Sequence, residues 1–319
     1  MFICRRGTSL KAQQKRVDLK TTQKWVYRNA RPLDLLRWQT HFEKGPEMAA
    51  AQVLAAFQNK DGGFAFAMEP DSWNQCSSPI QTWAAVEVLR ELELLTVESH
   101  LVRTALTYLE HSFDHQTNCW PTTIKAQENC PQAFWWEWSK ELNLNPTAYF
   151  CGLIIRFAEK GSSLYKLAID LANQSIAHFL NSKPTTDGHL LLCYLRLLEF
   201  SEEAGYTAIS KQANFHLKLQ AEIKGFMTQL DMDWLVDGVA YGFLQKYQDD
   251  LSQISDNPNI VSDIVEYLMT SIQDNGTWTI PWAWNDFPDE WAISQNWWRS
   301  HGIISTLLFL RKFGYLVDE

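Results

Sequence analysis

The sequence lacks the features of a membrane-spanning or secreted chain. It has no run of the ~20 apolar residues that a transmembrane helix needs, and its N-terminal region has no apolar core of a secretory signal. Its six cysteines are scattered and form no CxxC pair, which is typical of free thiols in a reducing compartment rather than of a disulfide framework. We therefore expect a cytoplasmic protein whose thiols are mostly buried.

Basic charge is scarce and unevenly placed. The net charge is −9, which argues against nucleic acid as a partner because phosphate binding needs a basic face. Residues 1–24 nevertheless contain seven Lys or Arg and a single acid, Asp18. We interpret residues 1–30 as a basic N-terminal tail or accessory helix and residues 31–319 as one domain. The basic region also fits a transit peptide or a peripheral contact with an anionic membrane.

Strand-like alternation is nearly absent, whereas helical periodicity continues along most of the chain. Five segments keep apolar residues three and four apart on one side, as half-buried helices do: 47–59, 99–113, 163–181, 207–226 and 259–273. Six segments alternate with them and are apolar on more sides, which predicts buried helices: 32–44, 78–94, 145–160, 187–203, 231–247 and 294–314.

This alternation predicts an all-α protein and, more specifically, an α/α toroid. In such a toroid the inner helices form a barrel and the outer helices surround it. The spacing of roughly 50 residues per helical hairpin is typical of repeat arrays. The N termini of the inner helices gather at one end, where facing side chains line a pocket.

Similar turns close two of the outer helices. They share a glutamine, a glycine turn and an aromatic residue: Gln58-x3-Gly62-Gly63-Phe64 and Gln273-x2-Gly276-x-Trp278. A third copy, with Gln116 and Trp120, has no glycine. We expect Gly63 and Gly276 to allow tight turns through positive φ, and the glutamine amides to bond nearby backbone groups.

These turns resemble the Gln–Trp repeats of terpenoid cyclases and of the related protein prenyltransferase β subunits. The resemblance covers roughly residues 30–319 as architecture and only the short repeats at residue level. In that superfamily the repeats brace the helical hairpins, so the resemblance implies the toroid and a structural role for the repeats. The chain also resembles an uncharacterised bacterial family that shares the stretch EPDSWN…SSPIQTW.

The acidic and metal-binding motifs of that superfamily are missing. The nearest approach to Asp-x-Asp-Asp is Asp231-Met-Asp233-Trp234, which lacks the last acid. Asp249-Asp250 is followed by Leu-Ser-Gln, so the magnesium motif Asp-Asp-x-x-Asp fails, and the zinc triplet Asp-x-Cys does not occur. The resemblance therefore supports the fold and leaves the activity open.

His189 and Cys193 are four residues apart on one face of a predicted helix. With one more acid they could hold zinc, but a buried His and Cys without further ligands is commoner. We therefore predict no metal and no cofactor.

The first candidate site is the loop that contains Glu69, Asp71, Trp73 and Asn74. A carboxyl group beside tryptophan can have a raised pKa and act as a general acid. In a toroid, this connection between an outer and an inner helix lies at the pocket mouth. The alternative is that the acids cap the next helix or bond the loop backbone.

The equivalent connection in the last hairpin contains Trp284, Asp286 and Asp289. We expect the two loops to face each other, with Glu69, Asp71, Asp286 and Asp289 as candidate catalytic acids at one pocket mouth. Paired carboxylates suit acid–base work or glycoside cleavage. The alternative is that both loops repeat one solvated turn.

Polar and aromatic residues near the starts of two inner helices predict a pocket floor. The candidate substrate-binding residues are Trp73, Asn74, Gln81, Trp83, Trp284, Trp297, Trp298, Arg299 and His301. Arg299 could pair with a diphosphate or a sugar acid, or it could bond Asp286 and lock the loop. The cluster of Trp135, Trp136 and Trp138 could stack on sugars, cradle a cationic intermediate, or simply pack between helices.

Together these features predict a terpenoid cyclase-like or prenyltransferase-like enzyme with an acidic, tryptophan-lined pocket. Its partner would be a small hydrophobic or isoprenoid substrate, protonated by Glu69 or Asp71. A carbohydrate-active enzyme on a similar toroid is the second interpretation, since tryptophan and acid loops also suit sugars. A non-catalytic module that binds a ligand or partner is the third.

Overall fold

The computed structural model describes residues 17–138 and 145–316. Of these, 62% are helical and none lies in a strand, so the all-α prediction is confirmed. The α-helices of the described residues are α1 Leu19–Asn29, α2 Pro32–Phe42, α3 Glu47–Ala55, α4 Pro79–Glu91, α5 His100–Ser112, α6 Thr147–Phe157, α7 Ser163–Asn181, α8 Gly188–Glu203, α9 Thr207–Ser210, α10 Ala213–Thr228, α11 Val239–Lys246, α12 Ile260–Ser271 and α13 Pro288–Lys312. Short 3₁₀ turns lie at Lys125–Gln127, Phe134–Trp136, Met232–Asp237 and Leu251–Gln253.

Three predicted segments differ from the helices observed. The segment 207–226 divides into α9 and α10, and 231–247 divides into a 3₁₀ turn and α11. The second division falls at Gly238, whose φ of +83° interrupts the helical backbone. Helix α13 begins at Pro288, earlier than predicted, because proline is favourable in the first helical turn and two acids follow it there.

The buried helices are those whose apolar residues continue around the helix. In α6 every residue from Thr147 to Ile155 is buried, and α6 packs between α7 and α8. Helix α8 also contacts α10 and α11, while α13 contacts α11, α2 and α1. The last helix therefore lies beside the first ones.

Helix α1 packs on the turn that follows α12. The hydroxyl of Thr22 donates to the backbone oxygen of Gly276 at 3.0 Å, and Val26 is fully buried. The predicted membrane contact and transit role of the basic N-terminus fall mostly on residues 1–16, outside the described residues. They remain predictions, as does the division into a tail and one domain.

The turn after α3 forms much as expected. The Gln58 amide donates to the oxygens of Gly62 at 2.8 Å and Leu101 at 3.1 Å, so its predicted backbone bonding is confirmed. Positive φ belongs to Gly62 (+91°) rather than to Gly63. A Cβ on Gly62 would lie 2.0 Å from the backbone oxygen of Thr104, so only glycine lets this turn pack on α5.

The turn after α12 differs in one respect. The Gln273 amide donates to the hydroxyl of Thr279 at 2.9 Å, and its oxygen accepts from the hydroxyl of Thr277 at 3.1 Å. The predicted backbone bond of Gln273 is therefore wrong, because two threonine hydroxyls in the turn take up its amide. Gly276 has the expected positive φ, +80°.

In the turns after α5 and α12, the aromatic residue packs back on the helix that precedes its turn. Trp278 donates its indole N–H to the oxygen of Leu268 at 3.0 Å, and Trp120 donates to Leu109 at 2.8 Å. Both tryptophans are buried. The third, glycine-free copy of the turn therefore makes the same brace, with Asn118 in the left-handed region instead of glycine.

Candidate functional site

The loop between α3 and α4 is folded around a glutamine of α4. The buried Gln81 accepts from the amide of Met68 at 2.9 Å and donates to the oxygen of Asn74 at 3.4 Å. Asn74 in turn accepts from the amide of Cys76 at 2.6 Å. Gln81 and Asn74, both candidate substrate-binding residues, thus hold the loop in shape.

This loop turns Glu69 and Asp71 inward. Their exposed fractions are 3% and 2%, so neither acid points to bulk solvent. The amide of Asp71 donates to Oε2 of Glu69 at 2.9 Å, which makes the two acids one unit. Trp284 of the last hairpin donates its indole N–H to Oδ1 of Asp71 at 2.8 Å. The predicted meeting of the two loops is observed at this hydrogen bond.

Burial dominates the electrostatics of the Glu69–Asp71 pair. It raises the pKa of Asp71 to about 6, against the lowering effect of indole N–H groups from Trp284, Trp298 and Trp282. Burial and then the charge of Asp71 raise the pKa of Glu69 well above its ordinary value. The amide of Asp71, the charge of Arg31 and the indole of Trp136 oppose this rise without offsetting it.

Three of these indole groups approach the pair without a full hydrogen bond. The Nε1 atoms of Trp136, Trp282 and Trp298 are buried and have no partner at hydrogen-bond distance among the described residues. They lower the pKa values of the two acids all the same. The acids are therefore surrounded by neutral donors, of which these three do not complete a hydrogen bond to them.

A stacked pair of tryptophans borders the site. The rings of Trp73 and Trp297 lie 5.2 Å apart and almost parallel, and the guanidinium of Arg31 is 5.5 Å from the Trp297 ring. The Trp73 indole donates to the hydroxyl of Ser294 at 2.8 Å, and that hydroxyl donates to the oxygen of Pro70 at 2.7 Å. Helix α13 thereby fixes the loop that contains the two acids.

The structure does not bring Asp286 and Asp289 to the pair. Both side chains are exposed, and Asp289 lies in the first turn of α13, where the helix dipole favours an acid. The expectation that they face the same pocket as Glu69 and Asp71 is corrected on this point. The last hairpin contributes an indole instead of a carboxylate.

The predicted pocket floor divides between two places. Trp298 acts on Asp71, and Trp297 stacks on Trp73 beside the acid pair. Trp83 packs edge-on against Tyr149 at 6.3 Å, in the interior. Arg299 makes no ion pair with Asp286 within the described ranges, and its buried Nε has no hydrogen-bond partner there. Burial lowers the pKa of Arg299.

His301 belongs to a second buried cluster. Its Nδ1 lies 3.3 Å from Nη2 of Arg37, and its Nε2 lies 3.3 Å from the hydroxyl of Ser305. Burial and the charge of Arg37 lower the pKa of His301 to about 4, so the ring is neutral at pH 7. The histidine therefore acts as a neutral neighbour of a buried ion-pair network and lies apart from the acid pair.

Three residues around the acids, Arg31, Trp136 and Trp282, were not among the predicted site residues. Trp136 and Trp282 occur in stretches that were singled out for their tryptophans, so the signal was present but not specific. Arg31 stands before Pro32 in an ordinary helix start and gives no signal. Its Nη1 donates to the oxygens of Ala67 at 2.7 Å and Met68 at 3.2 Å, which anchors the start of the acid loop.

His189 and Cys193, the pair examined for zinc in the sequence, both lie in α8. His189 is exposed, with Nε2 3.9 Å from Oδ2 of Asp237, while Cys193 is buried. Across residues 17–138 and 145–316 no three His, Cys, Asp or Glu side chains are grouped to hold a metal ion. In the same ranges, none of the helices combines the length and the apolar character needed to cross a bilayer.

The candidate functional site is therefore the Glu69–Asp71 pair, which is buried among indoles and has raised pKa values. No protein-family model matches the chain, and no curated protein or solved structure is detectably similar to it.

Proposed function

We propose that this chain is an α/α toroid enzyme, similar to the terpenoid cyclases, in which the Glu69–Asp71 pair protonates a hydrophobic or isoprenoid substrate. One observation carries the proposal. Two adjacent carboxyl groups are buried among indoles and, within the described residues, form no ion pair. Strongly perturbed pKa values of this kind are typical of catalytic acids and bases.

The helix contacts support a closed ring. Arg37 of α2 bonds Glu91 of α4, and Glu87 of α4 accepts from Tyr149 of α6 and from Arg196 of α8. Helix α8 contacts α11, α11 contacts α13, and α13 contacts α2. In this interpretation α2, α4, α6, α8, α11 and α13 are the inner helices, and the acid loop lies at one end of their barrel.

The pKa directions assign the roles within the pair. Burial and the charge of Asp71 raise the pKa of Glu69 well above its ordinary value, which favours its protonated form, so Glu69 is the acid in this proposal. Asp71, with a pKa of about 6, is mostly ionised at pH 7. Environments that push two carboxyl pKa values apart in this way separate acid from base. After the transfer, the Asp71 amide and the charge of Arg31 stabilise the new Glu69 carboxylate.

The aromatic walls suit a substrate that becomes positively charged. Protonation of an alkene leaves a cation, and indole faces attract cations through the ring quadrupole. The guanidinium above Trp297 shows that a ring of this wall already holds a cation. The neutral indole N–H groups neither quench such a cation nor compete for its proton.

A turnover assay with an isosteric variant tests the proposal. Glu69→Gln keeps an oxygen acceptor for the Asp71 amide but has no acidic proton. With squalene and linear isoprenoid diphosphates as substrates and product detection by gas chromatography and mass spectrometry, we expect at least about 100-fold slower conversion, the usual contribution of a general acid.

Asp286→Asn is the matched control, because it removes an exposed acid from the neighbouring loop and should leave conversion unchanged. Equal turnover by Glu69→Gln and the wild type would contradict the acid role. Failure of the wild type to convert any of these substrates would contradict the isoprenoid assignment. Without any substrate, an infrared band of a protonated carboxyl group at pH 7 should be present in the wild type and absent in Glu69→Gln.

One observation favours carbohydrate binding as a second candidate. Trp234 is 42% exposed and its ring stacks on Trp282 at 5.2 Å, so an indole face near the site meets solvent. Such a face could stack on a sugar ring. Titration with neutral oligosaccharides should then quench tryptophan fluorescence in the wild type and not in Trp234→Ala, and no quenching in either protein would remove this candidate.

A further inference from the structure

Two loops run side by side next to the acid pair. The first, residues 69–77, contains the acids and Cys76; the second, residues 127–136, contains Cys130 and Trp136. The amide of Trp73 donates to the oxygen of Pro131, and the amide of Ala133 donates to the oxygen of Asp71, both at 2.9 Å. The two loops therefore pair in antiparallel fashion, with residue 72 opposite residue 132.

This pairing brings two thiols to the same edge. Cys130 directly precedes Pro131, whose oxygen accepts from the amide of Trp73, and Cys76 lies three residues after Trp73. Burial and then the charge of Cys76 raise the pKa of the Cys130 thiol and the backbone of Gln75 lowers it, so that sulfur lies close to both residues. Both thiols are free. Cys76 is exposed and Cys130 is half-buried, whereas Cys119, Cys151 and Cys193 are buried.

We propose that Cys76 and Cys130 are a redox-active pair. A small-molecule disulfide converts them into an intramolecular disulfide that joins the first loop to the second. This inference does not depend on the proposed function. It goes beyond the expectation that the thiols are mostly buried, because these two are the accessible ones among the described cysteines.

The chemistry is ordinary thiol–disulfide exchange. The exposed Cys76 thiolate attacks one sulfur of the small disulfide, forms a mixed disulfide and releases one small thiolate. The Cys130 thiolate then attacks the Cys76 sulfur and releases the second. The two cysteines lose two protons and two electrons, and the small disulfide is reduced to two thiols. Burial raises the pKa of the Cys130 thiol, so the second step should be the slower one.

The disulfide would affect the acid pair, because the first loop contains the two acids and the second loop contacts them. Asp71 is bonded to the second loop through its own backbone oxygen, and Trp136 of that loop lies against Glu69. A disulfide would prevent the two loops from separating. If a substrate enters between them, oxidation would hinder its entry.

The experiment uses the full-length chain with Cys4→Ser, which removes the thiol outside the described residues. The reduced protein is incubated with oxidised glutathione, remaining thiols are blocked with N-ethylmaleimide, and intact mass and peptides are measured without reduction. We expect a product that has lost the mass of two hydrogen atoms, with a peptide that joins Cys76 to Cys130. Its Tm should exceed that of the reduced form by about 5 °C, as expected for a disulfide that closes a long loop.

Two single variants sharpen the result. Cys130→Ser should stop at one glutathione on Cys76, and Cys76→Ser should react much more slowly, because the accessible first thiol is gone. Neither variant should show the rise in Tm. Separate glutathione adducts on Cys76 and Cys130 without a joined peptide, or no reaction at either thiol, would overturn the proposal.

Discussion

Asp34 and Glu91 lie among arginines, whereas Glu69 and Asp71 lie among tryptophans. Asp34 accepts from Arg31 at 2.7 Å and from Arg37 at 2.8 Å. Glu91 accepts from Arg37 and, at 3.0 Å, from His41. Burial alone would raise the pKa of Glu91, but the charge of Arg37 and the hydrogen bonds from His41 and Arg37 together outweigh it and hold that pKa well below its ordinary value.

The tryptophan-bound acids receive no such compensation. Arg31 is the nearest cation, but its hydrogen bonds go to Asp34 and to the oxygens of Ala67 and Met68. An indole N–H donates a hydrogen bond without supplying a charge, so it does not offset the desolvation cost of a buried carboxylate. One cluster is therefore arranged for ionised acids that hold helices together, whereas the other raises the pKa values of its acids.

The largest effect should come from removing the central cation of the arginine cluster. Arg37 is 1% exposed and bonds both Asp34 and Glu91. Arg37→Met leaves Asp34 with Arg31 as its partner and Glu91 with His41, and the loss of the central charge should lower the free energy of unfolding by about 3–5 kcal/mol. Urea denaturation at pH 7 measures the change.

Arg103 provides the control, because it is exposed and bonds only nearby backbone oxygens. Arg103→Met should change the free energy of unfolding by less than about 0.5 kcal/mol. If the two variants behaved alike, the arginine cluster would not be a structural network.

The next effect is a pH dependence of stability, which should have opposite signs in the two clusters. The pKa of Asp71 is raised from 3.8 to about 6, so its folding contribution is present below pH 4 and is lost as the pH rises through 6. Asp71→Asn removes this loss. The variant should match the wild type near pH 4 and exceed it at pH 8 by at most about 3 kcal/mol, at about 1.4 kcal/mol per pH unit between the two pKa values.

Glu91→Gln should give the reverse profile. Because the pKa of Glu91 is lowered, its stabilising contribution is present above its unfolded pKa near 4.5 and is lost as the pH falls further. The variant should therefore be less stable than the wild type at pH 7, with a smaller deficit at pH 3. Denaturation curves at several pH values check both variants. If the free energy of unfolding changed with pH in the same way in both, the two clusters would not differ in their electrostatics.

A smaller effect is expected from the one indole that makes a full hydrogen bond to the pair. Trp284→Phe removes the donor to Oδ1 of Asp71 and keeps most of the aromatic packing. It should cost about 1–3 kcal/mol at pH 7, since a buried acceptor loses its partner, and it should raise the pKa of Asp71 further.

Trp291→Phe is the matched control, because Trp291 packs against Trp284 at 5.8 Å and has no part in the hydrogen bond. Its cost should be smaller and independent of pH. A pH-independent loss in Trp284→Phe would show that the indole acts by packing alone.

The smallest effect should be at the surface of the last hairpin. Asp286 is exposed, so Asp286→Asn should leave the free energy of unfolding within about 0.5 kcal/mol of the wild type at every pH. If its free energy of unfolding changed with pH as much as that of Asp71→Asn, Asp286 would belong to the buried acid site.

Local patterns predicted much of the fold and part of the site. The boundaries of α7 were predicted as observed, because a helix of this length keeps its apolar spacing throughout. The division at Gly238 was missed, because one glycine inside a helical pattern is a weak signal. Glu69 and Asp71 were singled out for their acid–tryptophan stretch, but the same reasoning selected Asp286 and Asp289, which are exposed.

The sequence by itself determined the all-α class, the bounds of α7 and the glycine turns, since these follow from periodicity and backbone sterics within a few residues. The tertiary structure alone decided which acids are buried and which donors reach them. Trp284 and Asp71 are 213 residues apart in the chain, and the Arg37–His301 contact spans 264 residues. Such pairs depend on how α2, α4 and α13 pack, and no local spacing encodes that packing.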